Sequence, residues 1–307
     1  MRREIRKEKK KRGFKLLLGV LGILLLIGAG SVFYVYNNVQ GTVAGMHQEI
    51  NRNQPEKREK PVDMNKKDPI SILLLGVDER ESDSGRSDTM VVLTLNPQKE
   101  SMYMFNIQRD TRTEIIGKGF EDKINHAYAF GGPRMSVETV ENFLDIPIDY
   151  FVKVNMEAFS DLVDAVGGIT VNNKVDWPGY PAGAITLQSG QEALGYVRMR
   201  KQDPRGDFGR NERQRQVIQA IIKEGASASS VMKFDEILDV LGTNVKTNMT
   251  LDDMNSIRKN YAGARNNIQQ FEIKGKGTMI DGIYYQLVSE EERLAVSERL
   301  KEHLEIK

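Results

Sequence analysis

The sequence predicts a mixed α/β fold, in which helices sandwich a central sheet that starts with antiparallel strands, preceded by one transmembrane helix. Three observations support this fold class. A basic segment followed by an apolar segment opens the chain, three short apolar runs then follow a polar stretch, and helical and strand patterns alternate to the C-terminus. The predicted parts are a basic cytoplasmic tail (1–13), a transmembrane helix (14–36), an extracellular stalk or linker (37–67) and an extracellular globular domain (68–307).

The N-terminal residues predict a membrane anchor. Nine Lys or Arg residues and two Glu residues lie between positions 2 and 15. From Phe14 to Tyr36 the chain is apolar or small apart from Lys15, and about 21 such residues cross a hydrocarbon core of about 30 Å. Because basic residues stay on the cytoplasmic side, we expect a single-pass protein of the cell membrane with its N-terminus in the cytoplasm. A cleaved signal peptide is the alternative, but the apolar segment is too long for one.

Composition limits the chemistry of the outer domain. Cysteine is absent, so disulfides and thiol catalysis are excluded. The three histidines are scattered along the chain and predict no metal site. Residues 1–67 carry a net charge of +9 and the remainder carries −8. Because an acidic domain repels polyanions, nucleic acid is not expected as a partner, and a bound anion needs a local basic cluster.

The predicted domain opens with three strands. Residues 37–67 are polar, with a charged run between Pro55 and Pro61, as is typical of a stalk. The three apolar runs that follow are Ile70–Val77, Thr89–Leu95 and Met102–Ile107. The short turn Asn96–Glu100 predicts an antiparallel hairpin, and the segment 78–88 has no helical pattern, so the first pair is expected to be antiparallel too.

Helices and strands alternate in the remainder of the domain. Strands are expected at Tyr150–Val154 and Ile169–Val171. Helices are expected from 3.6-residue periodicity or from capping residues at Met135–Leu144, from the cap Asn155 to Val166, at Gly190–Leu194, Arg210–Glu224, Phe234–Leu241, Leu251–Tyr261 and Ser289–Leu304. In the helix that begins at Arg210, we expect Val217, Ile218, Ile221 and Ile222 to be buried.

Charged residues are expected to meet at one edge of the sheet. Asp78 ends the first strand, Asp88 begins the second, and Arg109-Asp110 follow the third, so the antiparallel order brings them to the same edge. Arg80 and Arg86 lie in the loop between the first two strands. Carboxylates there can hold a hard divalent cation, and arginines can bind phosphate oxygens. The alternative is a structural network of ion pairs.

A second basic cluster lies in the C-terminal half. Seven of the eighteen residues from Arg198 to Arg215 are basic, and six of these are arginine. If Val197–Lys201 is extended, its two arginines point the same way. The loop that follows would bring Arg210 and Gln214 to one face at a helix N-terminus, where backbone N–H groups favour an anion. An ordinary solvated face is the alternative.

Six short strings in this order resemble the LytR-CpsA-Psr family. They are Leu74-Leu-Gly-Val-Asp78, Gly85-Arg-Ser-Asp88-Thr, Gln108-Arg109-Asp110-Thr, Lys123-Ile-Asn125-His-Ala, Tyr196-Val-Arg198-Met-Arg200 and Asp207-Phe-Gly-Arg210-Asn-Glu-Arg213-Gln214. The resemblance is strongest over residues 68–225, and it extends to the predicted topology of a basic tail, one membrane helix and an outer domain. The chain looks most similar to the Gram-positive members that transfer wall teichoic acid.

The resemblance implies a phosphotransferase. Such an enzyme takes an anionic glycopolymer from a polyprenyl-pyrophosphate carrier and attaches it, as a phosphodiester, to the C6 hydroxyl of N-acetylmuramic acid in peptidoglycan. The resemblance also implies Mg²⁺ at Asp78 and Asp88, and an apolar interior for the prenyl chain. The residues implied to contact the pyrophosphate are Arg80, Arg86, Arg109, Lys123, Arg198, Arg200, Arg210 and Gln214. Catalysis is implied for Asp88, Arg109, Arg198, Arg200 and Arg210.

Phosphoryl transfer depends mainly on positioning and on neutralising phosphate charge, which arginines and Mg²⁺ supply. The sequence leaves the general base open among Asp88, Asp110 and Asp203. Two other functions stay open as well. A polyprenyl-pyrophosphate phosphatase would use the same residues with water as acceptor. A non-catalytic membrane-bound regulator would need a cytoplasmic module, and a tail of about 13 residues is too short to fold into one.

Overall fold

The computed structural model describes residues 39–50, 52, 54–77, 85–200, 202–225, 242 and 244–306. Of the two units into which the chain divides, 1–44 and 45–307, the second contains every helix and strand named here. The predicted transmembrane helix, the predicted site residues Asp78 and Arg80, and the predicted helix Phe234–Leu241 lie outside the described residues. None of the helices within the described ranges has the length and apolar character needed to cross a membrane.

The strands are β1 (Ile70–Val77), β2 (Ser87–Asn96), β3 (Ser101–Asn106), β4 (Arg112–Glu114), β5 (Glu121–Lys123), β6 (Tyr150–Asn155), β7 (Ile169–Asn173), β8 (Gly183–Leu187), β9 (Val245–Thr247), β10 (Ile268–Gln270), β11 (Lys276–Ile280) and β12 (Ile283–Leu287). The α-helices are α1 (His126–Leu144), α2 (Met156–Val166), α3 (Gly190–Arg198), α4 (Asp207–Gly225), α5 (Leu251–Asn260) and α6 (Glu290–Leu304). The chain thus has the mixed α/β fold that its sequence predicts.

A six-stranded mixed sheet forms the centre, in the order β10-β3-β2-β1-β6-β9. Strands β1, β2 and β3 form the predicted antiparallel meander, in which Ile70 pairs with Leu95 and Leu95 also pairs with Met102. Strand β6 joins β1 in parallel. Three separate hairpins, β4–β5, β7–β8 and β11–β12, surround this sheet.

The two faces of the central sheet are covered differently. Side chains of one face, such as Leu73 and Leu75, pack against α1 and α6 in a core that includes Val140 and Leu300. Side chains of the other face, such as Ile72, lie in a core to which α4 and α5 contribute partly buried residues. Alternation along β1 produces these two apolar faces, as expected for a strand covered on both sides.

Local signals confirm several predicted helix ends. The side chain of Asn155 accepts a hydrogen bond from the Ala158 amide at 2.7 Å and caps α2, which ends at Gly167 in the left-handed conformation. Thr250 and Asp253 form a capping box at the start of α5. Ser289 caps α6.

Three predicted elements differ from the structure. Helix α1 begins at His126 rather than at Met135, and it is interrupted by non-helical backbone at Gly131 and Gly132. The predicted strand at Ile169 is present as β7, but it pairs with β8 outside the central sheet. Helix α4 begins at Asp207, three residues before the predicted start at Arg210.

The predicted extended conformation of Val197–Lys201 is wrong for Val197 and Arg198, which are helical, and Lys201 lies outside the described residues. Helix α3 was predicted to end at Leu194, but it continues to Arg198. The reason is an apolar helical face, because Ala193 and Leu194 lie four and three residues before Val197 and all three are buried. Arg198 and Arg200 therefore do not share the face of a strand.

Part of the predicted stalk packs against the domain. The guanidinium of Arg58 donates from Nε and Nη2 to both carboxylate oxygens of Asp149, each at 2.7 Å, and both side chains are buried. Arg52 forms an ion pair with the buried Glu141 at 2.6 Å. These contacts join residues 52–58 to the end of α1 and the start of β6.

Candidate anion-binding site

Charged side chains meet at the edge of the sheet where β2 begins and β3 has ended. Arg109 Nη1 lies 3.1 Å from Asp88 Oδ1, and the Asn125 amide lies 3.4 Å from the same oxygen. Asp110 Oδ2 lies 3.6 Å from Arg109 Nε, while Lys123 Nζ binds Asp110 Oδ1 at 2.7 Å. The structure thus brings together Asp88 and Arg109, as the strand order predicts, and adds Asn125 and Lys123.

The N-terminus of α4 contributes the second half of the cluster. Asp207 is the first residue of the helix, and its Oδ1 lies 2.9 Å from Arg200 Nε and 3.5 Å from Arg210 Nη2. Arg109 also interacts electrostatically with Asp207, and Arg210 with both Arg109 and Asp88. The two sequence clusters are therefore one site in space. Below, "the arginine cluster" means Arg109, Arg200 and Arg210 with Asp88 and Asp207.

The cations of the cluster respond differently to their surroundings. Burial alone would lower the pKa of Arg109, but Asp88 and Asp110 raise it above its ordinary value. Burial lowers the pKa of Arg210; Asp207 opposes this, while the neighbouring guanidiniums of Arg109 and Arg200 reinforce it. A positive charge at Arg210 is therefore incompletely compensated, and a bound anion would stabilise it.

Two buried guanidinium donors in the cluster have no hydrogen-bond acceptor among the described residues. They are Nε of Arg109 and Nε of Arg210. Asp207 Oδ1 is also buried without a hydrogen bond, because the nearby Arg200 Nε is out of line for one. Since buried polar groups are normally paired, unpaired donors at a helix N-terminus indicate a position for an anion such as a phosphate group.

The other predicted contact residues lie around this cluster with different degrees of engagement. Arg86 and Arg198 are exposed, and no hydrogen bond or ion pair joins either side chain to another described residue. Gln214 is buried, and its amide donates to Thr89 Oγ1 at 2.8 Å. Arg210 and Gln214 lie four residues apart on α4, as predicted, so one helix face carries both.

An apolar cavity of about 300 Å³ adjoins Gln214. It lies between β1, β2 and β6 on one side and α2 and α4 on the other, and Gln214 and Thr89 are among its few polar residues. Its apolar lining includes Leu74, Val152, Phe159, Ile218, Ile221 and Ile222. The last three were predicted to be buried with Val217. Val217 is fully buried, but these isoleucines are only partly buried because they line the cavity.

Gly76 is placed where cavity, strand and site meet. A Cβ atom at this position would lie 2.8 Å from the Cβ of Thr89, its partner on β2. A side chain would therefore push against the strand that carries Asp88 and would enter the cavity. Glycine here is required by close approach of the two strands.

Two of the three proposed general bases differ sharply in access. Asp203 is buried, and Arg213 Nη1 binds its Oδ2 at 2.6 Å while the Arg205 amide binds its Oδ1 at 2.9 Å. It is therefore a structural acceptor and not a base. The side chain of Asp88 is 48% exposed, and both of its hydrogen bonds use Oδ1.

The predicted metal site includes Asp78, which lies outside the described ranges. Within those ranges, no group of three or more carboxylate or imidazole side chains is arranged to hold an ion. Asp88 Oδ2 has no hydrogen bond to another described residue, so a hard oxygen ligand is free at the edge of the cluster. The donor type suits Mg²⁺, which commonly binds one or two carboxylates together with substrate phosphates.

Sequence reasoning missed the role of Asp207 and Asn125 in the cluster. Both lie inside strings that carry the family resemblance, and both begin or precede a helix. An acidic residue in the first turn of a helix beside several arginines is the signal that could have identified Asp207. Asn125 required knowledge of the tertiary contact, because its partner Asp88 is 37 residues away.

Comparisons with known proteins identify the family of this chain. The LytR_cpsA_psr family model matches residues 33–302. The polyisoprenyl-teichoic acid–peptidoglycan teichoic acid transferase TagU of Bacillus subtilis (strain 168) is 52% identical over 309 residues, which cover 99% of this chain and 100% of that protein. The crystal structure of B. subtilis TagU superposes with a TM-score of 0.64 at 52% identity, covering 78% of this chain and 99% of that one.

A more distant structure has the same fold. TagT bound to LI-WTA superposes with a TM-score of 0.71 at 33% identity, and the match covers 83% of this chain and 98% of that one. The match of the family model over most of the chain and the full-length relative at about half identity establish that this chain is a member of the LytR-CpsA-Psr family.

Proposed function

We propose that this chain is a glycopolymer–peptidoglycan phosphotransferase. It moves an anionic polymer of the wall teichoic acid type from a polyprenyl-pyrophosphate carrier to the C6 hydroxyl of N-acetylmuramic acid in peptidoglycan. The observation that carries this proposal is the pair of unpaired guanidinium donors on Arg109 and Arg210, beside the polar end of an apolar cavity. The transferase activity for which similar proteins are named supports the same assignment.

The reaction exchanges a phosphoanhydride bond for a phosphate ester bond. The C6 hydroxyl oxygen forms a bond to the phosphorus that carries the polymer, and the bond from that phosphorus to the bridging oxygen of the pyrophosphate breaks. Polyprenyl phosphate leaves, and the hydroxyl proton passes to a base. Because charge builds on the leaving phosphate, preorganised guanidiniums next to it accelerate the reaction.

The arginine cluster supplies this positive charge. Arg109 and Arg210 offer their unpaired Nε donors to phosphate oxygens, and Arg200 adds charge at the N-terminus of α4. Lys123 neutralises Asp110, which would otherwise repel the substrate. In the proposal, Arg86 and Arg198 extend the contact, since both are exposed cations without an ion-pair partner in the described structure.

The apolar cavity holds the first part of the prenyl chain in this proposal. Its size of about 300 Å³ is at the lower end of the range for ligand pockets, and partly buried isoleucines of α4 face it. Gln214 lies at its boundary and donates to Thr89 of the same strand that carries Asp88. Apolar and anionic parts of a prenyl pyrophosphate therefore have adjacent places to bind.

Mg²⁺ belongs to the same proposal. Asp88 and Asp78 would hold the ion, and the ion would neutralise phosphate charge. Asp88 and Asp110 are the candidate bases, since the third carboxylate, Asp203, is buried in ion pairs. Measuring pH–rate profiles for Asp88→Asn and Asp110→Asn distinguishes them: the base variant loses its acidic limb.

The cell membrane is the proposed location. The segment 14–36 would anchor the chain with its N-terminus in the cytoplasm, and the domain would act outside on a lipid-linked donor and the peptidoglycan acceptor. The lipid carrier itself resides in the membrane, so an anchored enzyme and its donor share one surface.

The test separates transfer from hydrolysis. The full chain is reconstituted in lipid vesicles with Mg²⁺, a lipid-linked saccharide pyrophosphate and uncrosslinked peptidoglycan glycan strands. We expect saccharide phosphate on the glycan, and we expect Arg109→Ala to abolish it. The matched control is Arg134→Ala, because Arg134 pairs with Glu138 on the exposed side of α1. Release of free phosphosaccharide alone would assign a phosphatase instead.

A further inference from the structure

The proposed reaction determines the side from which the acceptor must approach. In phosphoryl transfer the attacking and leaving oxygens lie roughly in line on opposite sides of phosphorus. The leaving lipid phosphate would lie towards the cavity, which α4 and Gln214 border on one face of the sheet. The acceptor hydroxyl must therefore come from the direction of the other face, which α1 covers.

Helix α1 begins at the arginine cluster on that side. Asn125 precedes the helix. Its side-chain amide donates to Asp88 Oδ1 at 3.4 Å, and its backbone N–H donates to the carbonyl of Arg109 at 3.3 Å. The next residue is His126. The hairpin β4–β5 lies against this start, because the Ile124 amide binds the Thr111 carbonyl at 2.8 Å. An acceptor that reaches Asp88 from the α1 side would pass over these residues.

Two large aromatic side chains are exposed at this place. Phe120 in the β4–β5 hairpin is 46% exposed and Phe130 on α1 is 41% exposed. Their rings meet edge to face with centroids 5.8 Å apart, and the ring of His126 lies 6.2 Å from that of Phe130. Below, "the aromatic surface" means Phe120, His126 and Phe130. Contiguous exposed rings beside a reactive site indicate a surface for a partner.

Hydrogen-bonding groups accompany these rings. Asp122 Oδ2 lies 2.7 Å from His126 Nδ1, and its Oδ1 accepts from the Lys123 amide at 2.7 Å. This contact favours a proton on Nδ1, so Nε2, which has no partner among the described residues, is left to accept a hydrogen bond. The ammonium of Lys118 lies 5.4 Å from the Phe130 ring centroid and adds exposed donors.

We propose that the aromatic surface, with Lys118, binds the sugars of the peptidoglycan glycan strand that flank the accepting residue. A sugar ring has an apolar C–H face that stacks on a phenyl ring and hydroxyl groups that bond to donors and acceptors at its rim. The aromatic surface offers both kinds of contact, on the side where in-line attack requires the acceptor. Because this assignment rests on the proposed transfer reaction, its test measures glycan binding separately from turnover.

The experiment uses the full chain in lipid vesicles and the double substitution Phe120→Ala/Phe130→Ala. We expect KM for uncrosslinked glycan strands to rise about tenfold or more, with kcat and KM for the lipid-linked donor unchanged. The control is Leu294→Ala, since Leu294 on α6 is also 46% exposed but lies outside the aromatic surface. His126→Ala should raise the acceptor KM by a smaller factor.

Glycan binding without donor completes the test. We expect the wild type to bind uncrosslinked strands and the double variant to bind at least tenfold more weakly, with an unchanged unfolding temperature. If the wild type transfers saccharide but the double variant keeps its acceptor KM, the aromatic surface is not the acceptor site, and the proposed function stands. A loss of donor affinity as large as the loss of acceptor affinity would also overturn the assignment of the aromatic surface as the acceptor site. If the wild type binds glycan through these rings but transfers nothing, the proposed function fails instead.

Discussion

Arg210 and Arg213 lie one turn apart on α4, yet their surroundings are opposite. Arg213 is buried with every nitrogen engaged: Nε donates to the Tyr196 carbonyl at 3.1 Å, Nη1 binds Asp203 at 2.6 Å, and Nη2 donates to the Met199 carbonyl. Arg210 is only partly buried, with 17% of its side chain exposed, and it has an unpaired Nε and two cationic neighbours. Arg213, whose nitrogens are all hydrogen-bonded (saturated), holds α3 and the loop after it to α4. Arg210, which is unsaturated, has a donor available for a ligand.

The same contrast explains why a count of basic residues could not identify the site. Arg215, two residues beyond Arg213, is also saturated, with Nη1 on Asn106 at 2.7 Å and Nη2 on Glu272 at 3.2 Å. Of the arginines in α4, the described contacts leave only Arg210 with a buried free donor. Partner saturation separates structural from ligand-binding arginines, because an unpaired buried donor is costly unless something else binds it.

The largest effect is expected at Arg213, the saturated arginine. Arg213→Ala should destabilise the folded chain by about 3–5 kcal/mol, because it leaves Asp203 as a buried carboxylate without its main partner. Thermal unfolding followed by circular dichroism measures this. The exposed Arg134→Ala should leave Tm unchanged. A wild-type Tm for Arg213→Ala would show that saturation does not identify structural arginines.

A slightly smaller effect is expected at Arg210, the unsaturated arginine. Arg210→Ala should lower kcat for polymer transfer by about 10²–10³, as expected when one preorganised donor to a developing charge is removed. Its stability should be unchanged or increased, because burial and neighbouring cations already disfavour this charge. Rate and unfolding temperature are measured on the same preparation. Destabilisation without loss of rate per folded molecule would assign Arg210 to the fold.

His303 and His126 differ in the same way as Arg213 and Arg210. His303 is buried with Nδ1 2.8 Å from Thr94 Oγ1 and Nε2 2.9 Å from Ser101 Oγ, while Nε2 of His126 has no described partner. Burial, together with nearby Lys99, lowers the pKa of His303 to about 4. Below its ordinary pKa of 6.5, the unfolded chain takes up a proton that the folded chain does not.

Stability should therefore fall as pH decreases from about 6.5 to about 4, by up to about 3 kcal/mol from this residue. His303→Gln should flatten that part of the curve of unfolding free energy against pH. An unchanged slope in His303→Gln would mean that other groups set the acid sensitivity.

Much of the fold follows from local patterns. The β1–β2–β3 meander was predictable because continuous apolar runs are separated by short polar turns, and α2, α5 and α6 because their caps are explicit. The hairpins β4–β5 and β11–β12 were missed because three- to five-residue strands without a buried face leave no periodic signal. Strand β6 pairs with β1 in parallel, and the sequence of the segment that leads into β6 does not specify which strand β6 pairs with.

The site was predictable where strand order sufficed and not where helix packing decided. Asp88 and Arg109 meet because β2 and β3 are antiparallel neighbours. Arg198 was grouped with Arg200 on the expectation that Val197–Lys201 is extended, but the buried Tyr196 and Val197 keep the chain helical as far as Arg198. Asp207 and Asn125 join the cluster only through tertiary contacts that no local pattern contains.

The most direct test of the account is the binding of a soluble prenyl pyrophosphate to the full chain, measured by calorimetry with Mg²⁺ held constant. We predict that the wild type and Arg134→Ala bind equally, and that Arg109→Ala/Arg210→Ala binds at least a hundredfold more weakly while keeping its fold, because two charge-assisted contacts are removed. Wild-type affinity in this double variant would show that the unpaired guanidiniums do not hold the pyrophosphate and would contradict the account.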